Sequence, residues 1–522
     1  MGTRRVVMGL LFFPRGGSAQ VTRYLAVALG DAGSSVSLVA GSLGVPGDET
    51  HAPTFFDGIE LQHVDYTATF EASAPDGSAL AAPIPMHPSY EDREGAPDVV
   101  LAAVDPGLEA HLAAVWEAPL AAAGASGADV LHLHHLTSQH DAARATWPHV
   151  PILAHLHGTE IKLLEAIEAR RMLAARLGSS LPEMPRAVAS GSLGVRGLSA
   201  VEQELLTTTR WTQWRHGDHW AARLRQLAVA ADHVVVVSPP DRATVIATFG
   251  VAPEHVTAIP NGVETDRFHP RPSAPGERRT RFRRWLVEDP RGWREGGEPG
   301  SIRYGEADLD RLLGEDGDGT VLIYVGRFTE AKRVPLLIRS FAIARQRARR
   351  RASLLVWGGH PGEHEGEHPV TVAEEVGGEG IYFAGWRGHE DLPEGLAACA
   401  ALLTPSVNDS FAQTALEAMA TGLPVVATSS GGFPSMVNLD PAAPTGWLVP
   451  PDDLGALVDV LVDVIDDPGE VTARGAAALA HARAELSWSG RVPRFEQAYA
   501  AAEEHHARRA RRQGDNPAQR PS

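Results

Sequence analysis

The feature that most limits what this chain can become is a short apolar run that recurs along its length. It appears as RRVVMGLLFF, SVSLVA, ADVLHLHH, VPILAHLHG, DHVVVVS and HVTAIPNG. A second series reads TVLIYVGRF, ASLLVWGG, GIYFAG, ALLTPS, LPVVATS and GWLVP. Such continuous runs suit strands covered on both faces, and segments of helical periodicity separate them. In the first segment Val21, Leu25, Ala28 and Leu29 recur at helical spacing before Gly30 and Gly33. In VPLLIRSFAIA, the residues Val334, Leu337, Ile338 and Phe341 share one helical face. Strands alternating with helices make a parallel sheet with helices on both sides. Two series predict two tandem doubly wound, Rossmann-like α/β domains, and 522 residues are enough for both.

The expected division is a first domain over 1–262, a linker over 263–318 and a second domain over 319–485. A C-terminal helix over 486–508 is expected to cross back to the first domain, with a disordered tail over 509–522, where ARRARRQGDNPAQRPS lacks apolar residues. Residues 271–305, rich in Arg, Gly and Pro, are read as an exposed insertion. The Trp-rich segment RWTQWRHGDHW, 210–220, is read as surface decoration, with a role in shaping an acceptor site as the alternative.

Composition removes several function classes. Against 47 basic residues stand 65 acidic ones, for a net charge of −18, which argues against a general nucleic-acid or anionic-membrane binder. Cys399 is the single cysteine, so there is no disulfide framework and no thiolate zinc site, and a cytoplasmic location is expected. In MGTRRVVMGLLFFPRGGSAQ the apolar stretch before Pro14 and Arg15 is only about eight residues, at the short limit of a signal core. It is read as a first strand running into a Gly-rich turn. No stretch approaches the ~18 apolar residues of a membrane span. No short-period repeat, Walker loop or zinc-binding cluster is found.

Doubly wound sheets bind ligands beyond the carboxyl ends of their strands, and two such sheets facing each other would line a shared cleft with those ends. TVLIYV delivers Gly326, Arg327 and then Lys332 at an expected helix start. Two cations with a helix N-terminus suit a di-anion, although a pair of solvated cations is the plainer alternative. ALLTPS delivers VNDSFAQTALEAMATG, where Ala412, Ala415, Leu416 and Met419 predict a helix beginning near Phe411 or Ala412. Asp409 or Ser410 would be its cap, and Glu417 would point off the apolar face. Such a carboxylate pair is either a cap with a solvated residue or a pair of acceptors for ligand hydroxyls. Ser430, Gly431 and Gly432, after LPVVATS, make a second backbone approach to the same place. Of the histidines at 132, 134, 135, 140, 155 and 157, His132 and His134 alternate along a strand and are read as structural rather than metal-binding. His157 lies beyond a strand end and before a Gly turn, where a functional role is expected.

The ordered set NGVETDRF, VGRFTEAKR, DSFAQTALEAMATGLPVVAT and a late Ser487–Trp488 resembles the family 4 retaining glycosyltransferases of the GT-B fold, over roughly residues 5–40 and 128–500. The resemblance implies a GT-B architecture, two Rossmann-like domains facing across a cleft. It also implies transfer of a hexose from a nucleoside-diphosphate sugar to an acceptor hydroxyl, with retention and without a metal. Arg327 and Lys332 would neutralise the donor diphosphate. Glu417 would accept from the ribose, and Asp409 would take the place of the family's sugar-contacting glutamate. His157 would stand beside the anomeric carbon, and Gly16 and Gly17 would form the loop over phosphates or acceptor. Phe411, Ala412, Gln413 and Thr414 complete the donor-binding block. The first domain would serve the acceptor and the second the donor, with no other cofactor implied. Two residues depart from the family pattern. Asp409 is one methylene shorter than glutamate, and Ala412 stands where glycine is usual. They keep open a catalytically impaired nucleotide-sugar-binding relative, and a GT-B-fold epimerase is a further alternative.

Overall fold

A computed structural model of the protein describes residues 3–72, 78–92, 98–272, 274–314, 317, 319–361, 364–407 and 409–514. The chain forms two compact units, Met1–Ile259 with Val492–Ser522, and Pro260–Arg491.

The first unit is built on seven parallel strands: β1 Arg5–Leu10, β2 Ser35–Ser42, β3 Glu60–Asp65, β4 Val130–His134, β5 Ile152–Leu156, β6 His233–Val236 and β7 Val256–Ala258. Their order is β3-β2-β1-β4-β5-β6-β7. The second has six: β8 Thr320–Val325, β9 Ala352–Trp357, β10 Ile381–Gly385, β11 Ala401–Thr404, β12 Val425–Thr428 and β13 Gly446–Val449. Their order is β10-β9-β8-β11-β12-β13, again all parallel. The sheet direction of winding therefore reverses between β1 and β4, and between β8 and β11. Crevices open at these reversals, because the helices on either side leave toward opposite faces.

The apolar runs explain the strands. Every residue of β4, β5, β9, β10, β11 and β12 is buried, as strands with helices on both faces must be. The helix Gly16–Asp31 buries Val21, Leu25, Ala28 and Leu29, the stripe its periodicity marks out. Strand β3 has only Val64 buried and lies at a sheet edge, so its sequence ELQHVD carries no apolar run.

Three expectations are corrected. The segment 271–305 is not an exposed insertion. Phe282, Trp285, Trp293 and Ile302 are buried in the second unit, where the Trp285 ring meets that of Trp357 edge-on at 5.1 Å and the Trp293 indole donates to the Gly359 carbonyl. The expected linker therefore belongs to the second unit, and the division falls at Ile259–Pro260. Nor is 210–220 decoration. Trp211, Trp214 and Trp220 are buried, with the Arg170 guanidinium 3.8 Å from the Trp214 ring and the Trp220 indole donating to Val104. Aromatic area of this size belongs to a core rather than to a surface. The C-terminal helix, Trp488–Gly514, runs past 508 into the expected tail, and residues 515–522 lie outside those described. From Val492 onward this helix belongs to the first unit, where Tyr499 is fully buried. Among the described residues no helix is long and apolar enough to cross a membrane.

Candidate active site

In the second unit the loops after β8, β9, β11 and β12 converge at the reversal of the sheet. The Tyr324 hydroxyl, buried at the end of β8, donates to the Arg327 carbonyl at 2.7 Å and fixes the turn that presents the Arg327 side chain to solvent. The loops touch backbone to backbone. A Cβ on Gly358 (φ +132°) would fall 2.1 Å from the Gly326 carbonyl oxygen. On Gly431 (φ +59°) it would fall 2.1 Å from that of Asp409. The amide of Gly432 also donates to the Asp409 carbonyl, at 2.8 Å. Glycine is needed at these positions because only its backbone can come so close.

Lys332 does not begin a helix. It ends a 3₁₀ turn, Glu330–Lys332, ahead of the helix Val334–Arg347. Nor is it a solvated cation, because its ammonium donates to Asp409 Oδ2 at 2.5 Å, with both side chains largely covered. That contact also corrects the expected cap. The helix after β11 spans Gln413–Thr421, with Ala412 at the N-cap position, whose side chain makes no capping hydrogen bond. Asp409 and Ser410 precede that N-cap position, and the Asp409 carboxylate pairs with Lys332. Ala412 adopts ordinary extended backbone (φ −80°, ψ 100°), so its Cβ introduces no strain. The arrangement leaves the N–H groups of a helix N-terminus beside a lysine held by an aspartate, a ready place for an anion.

Glu417 departs most from expectation. It is not off the apolar face but 2% exposed, in a helix buried on all sides from Ala415 to Thr421. Burial raises its carboxyl to about 8, against an opposing pull from the Arg267 guanidinium. The His389 Nε2 stands 3.8 Å away, and Arg267 donates to the His389 carbonyl at 3.0 Å. Gln413 donates to Gly262 at 2.8 Å, Thr414 is half-buried, and Phe411 is buried. The structure thus brings Lys332 and Asp409 into direct contact and places Glu417 on the helix that follows.

In the first unit, β1 leads through Arg15 into Gly16 (φ +65°) and Gly17 at the start of the helix Gly16–Asp31. The Arg15 guanidinium pairs with buried Asp98 at 2.5 Å and lies over the Phe13 ring. His157 follows β5 and precedes Gly158 (φ +89°), and its Nε2 is 2.9 Å from His134 Nδ1. His132, His134 and His155 are wholly buried behind it. The rings of His132 and His134 are stacked at 10° and those of His134 and His157 at 12°. His132 binds the Tyr499 hydroxyl at 2.8 Å and His155 at 3.1 Å.

The donor atoms of His132, His134 and His155 lie within 4.8 Å of one another. Stacked rings, however, send their lone pairs along parallel planes, so the His132–His134 pair does not converge on one ion as a metal site requires. The column is a packed one. Burial, and then the charge of neighbouring imidazoles, holds His132, His134, His155 and His157 well below the usual imidazole range. A group depressed in the folded state contributes stability that is complete above its unfolded value of about 6.5 and is lost as pH falls. Calorimetric melting at pH 5 is therefore expected well below that at pH 7.5. A first-unit transition that does not move between these values would contradict the neutral column.

Sequence reasoning missed one buried pair, His135 with Glu160, whose Nδ1 and Oε1 are 2.6 Å apart. Its signal was present in HLHGTE, which puts a carboxylate in the first turn of the helix Thr159–Arg176.

Comparison with known proteins agrees with this layout. A model described as Glycosyltransferase Family 4 matches residues 15–267, and one described as Glycosyl transferases group 1 matches residues 319–467. A D-inositol 3-phosphate glycosyltransferase of Streptomyces griseus is 29% identical over 292 residues, 55% of this chain and 57% of that protein. The chain thus spans little more than half the length of this curated relative. Among solved structures, sucrose-phosphate synthase from Thermosynechococcus elongatus superposes with a TM-score of 0.58 at 20% identity, over 95% of this chain and 98% of that one. Anabaena HepE in complex with UDP-glucose gives 0.55 at 14% identity, over 95% and 99%. These two show a shared GT-B fold. With one model on each unit, matching most of the sequence between them, the chain belongs to the family 4 glycosyltransferases.

Proposed function

We propose that the protein is a retaining glycosyltransferase that moves a hexose from a nucleoside-diphosphate sugar to an acceptor hydroxyl. The second unit holds the donor, and the first supplies His157 and the acceptor site. The observation that carries this reading is the Lys332–Asp409 contact ahead of the helix Gln413–Thr421. A diphosphate there would meet the Lys332 ammonium, the Arg327 guanidinium and the helix N–H groups, while Asp409 would be left to take a sugar hydroxyl. The curated relative's name supports a glycosyl transfer, and a UDP-glucose complex of a protein with this fold supports a nucleotide-sugar donor.

In the proposed reaction the bond from the anomeric carbon to the leaving phosphate oxygen breaks. A bond to the acceptor oxygen forms on the same face, and the acceptor proton passes to the departing phosphate. Charge grows on the diphosphate, so donors already aimed at it lower the barrier by a few kcal/mol each, and neither a strong protein base nor a metal ion is called for. His157, held neutral by burial and oriented by His134, would present Nδ1 as a hydrogen-bonding atom to the sugar.

A thermal-shift panel of UDP, GDP and ADP tests the donor site, and NMR of the product's anomeric proton tests retention. One nucleotide should stabilise the protein. His157→Ala should lower turnover about 100-fold while leaving nucleotide affinity within about twofold. No response to any nucleoside diphosphate would overturn the donor site. Normal turnover in His157→Ala would remove that residue from the reaction.

A further inference from the structure

The turn Pro253–His255, ahead of β7, and the C-terminal helix Trp488–Gly514 meet in the first unit through two imidazoles. The rings of His255 and His505 lie face to face, 3.7 Å between centroids and 16° from parallel. Nδ1 of His505 donates to the Asp232 carbonyl at 2.9 Å, which holds the ring over its partner. His233, the first residue of β6, is buried 5.8 Å from the His505 ring, with its Nε2 on Thr257 Oγ1 at 2.8 Å. The Asp232 carboxylate, 1% exposed, takes the Ile152 amide at 2.9 Å, Arg144 at 2.8 Å, Arg509 at 2.7 Å and His506 at 3.3 Å.

Charge decides what this seam does as protons are added. Arg144, Arg509 and Arg242, whose guanidinium donates to the Pro253 and Val256 carbonyls, surround the stack together with Asp232 and Glu254, three cations against two anions. On the helix itself Glu504 pairs with Arg508. A neutral imidazole packs well on another, and one charged ring over a neutral one is tolerated. Two charged rings 3.7 Å apart repel strongly, and Asp232 does little to offset them because two guanidiniums already share it. Burial, and then the charge of His505, holds His255 below the usual imidazole range, and burial beside both rings brings His233 down to about 4. Groups depressed by docking contribute stability that is complete above about 6.5 and is lost as pH falls. His506 acts in the opposite sense, since a proton there strengthens its contact with Asp232, but that carboxylate is the one the guanidiniums already share.

We propose that the end of the C-terminal helix, from residue 503 onward, is held by an acid-labile latch, the His255–His505 stack, which opens between pH 7.5 and pH 5.5 and releases Arg509 with the arginine-rich end of the chain. The latch is independent of the glycosyltransferase reading. Hydrogen exchange of the full chain, read by mass spectrometry and corrected for the intrinsic pH dependence of amide exchange, compares 503–512 with 495–502, the stretch that carries buried Tyr499. In wild type the protection of 503–512 should fall about tenfold or more from pH 7.5 to pH 5.5, while that of 495–502 changes less than about threefold. His255→Phe keeps the stack with one ring that cannot take a proton, so its 503–512 protection should change less than about threefold between the two pH values. His505→Phe, which also gives up the bond to Asp232, should be less protected at both pH values but equally so, and serves if His255→Phe does not fold. His506→Gln should keep the wild-type response. Equal protection of 503–512 at both pH values in wild type, a matching fall in 495–502, or a wild-type response in His255→Phe would overturn the latch, as would loss of the response in His506→Gln.

Discussion

Lys332→Ala is expected to weaken nucleoside-diphosphate binding about 100-fold or more. A charge-assisted hydrogen bond is worth about 1.5–3 kcal/mol, and its loss is only part of the effect. In the folded protein the Lys332 ammonium already compensates Asp409 at 2.5 Å. Removing it leaves a partly covered carboxylate beside the incoming diphosphate, so repulsion adds to the missing attraction. Two consequences separate this from a simple loss of positive charge. Arg327→Ala should cost less, about tenfold, because the Arg327 side chain is exposed and no buried charge is abandoned. The double variant Lys332→Ala/Asp409→Ala should recover part of the affinity lost by Lys332→Ala alone, as contacting residues couple. Asp409→Asn should leave the melting temperature nearly unchanged, since no cap is lost, while reducing transfer. Isothermal titration of wild type and the four variants decides the matter. Equal affinity in Lys332→Ala and wild type would exclude the diphosphate from this place.

How much of this was legible in the sequence follows a physical line. Strands β8 to β13 and most of the first sheet could be read because two-sided burial demands continuous apolar runs. β3 could not, because at the edge of a sheet only Val64 is buried. The Arg- and Trp-rich segments misled for a related reason. Arg, Gly and Pro usually mark exposed loops, yet in 271–305 Trp285 is buried against Trp357, with its carbonyl held at 2.6 Å by Arg387, a buried residue from outside the segment. The residue types of the site, Arg327, Lys332, Asp409 and Glu417, were visible together with their order. Their pairing was not. A capping signal before an apolar helix is a local pattern, whereas the Lys332–Asp409 contact joins residues 77 apart and depends on the sheet's reversal between β8 and β11. Glu160 could be read in HLHGTE as a first-turn carboxylate, but only the fold places it beside His135.

Glu417→Gln should change both the pH dependence of stability and the proton balance of nucleotide binding. In the folded chain burial lifts the Glu417 carboxyl from 4.5 to about 8. A carboxyl raised on folding contributes its stability fully below the unfolded value and loses it as pH rises through the folded one. Wild type should therefore lose a few kcal/mol between pH 5 and pH 9 from this residue. Glutamine keeps the neutral shape without the titration, so the variant should match wild type at pH 5 and melt higher at pH 9. Binding runs the other way. Ribose hydroxyls donate best to an ionised carboxylate, so a nucleotide seated there should draw the Glu417 pKa down and release a proton near pH 7.5. Titration calorimetry in two buffers of different ionisation enthalpy reads that proton directly, and subtracting the Glu417→Gln result removes the nucleotide's own titration. The variant should release less and bind about tenfold more weakly, the cost of one charge-assisted hydrogen bond. Identical proton release and affinity in the two proteins would show that Glu417 is a buried neutral acid of the core and that the ribose lies elsewhere.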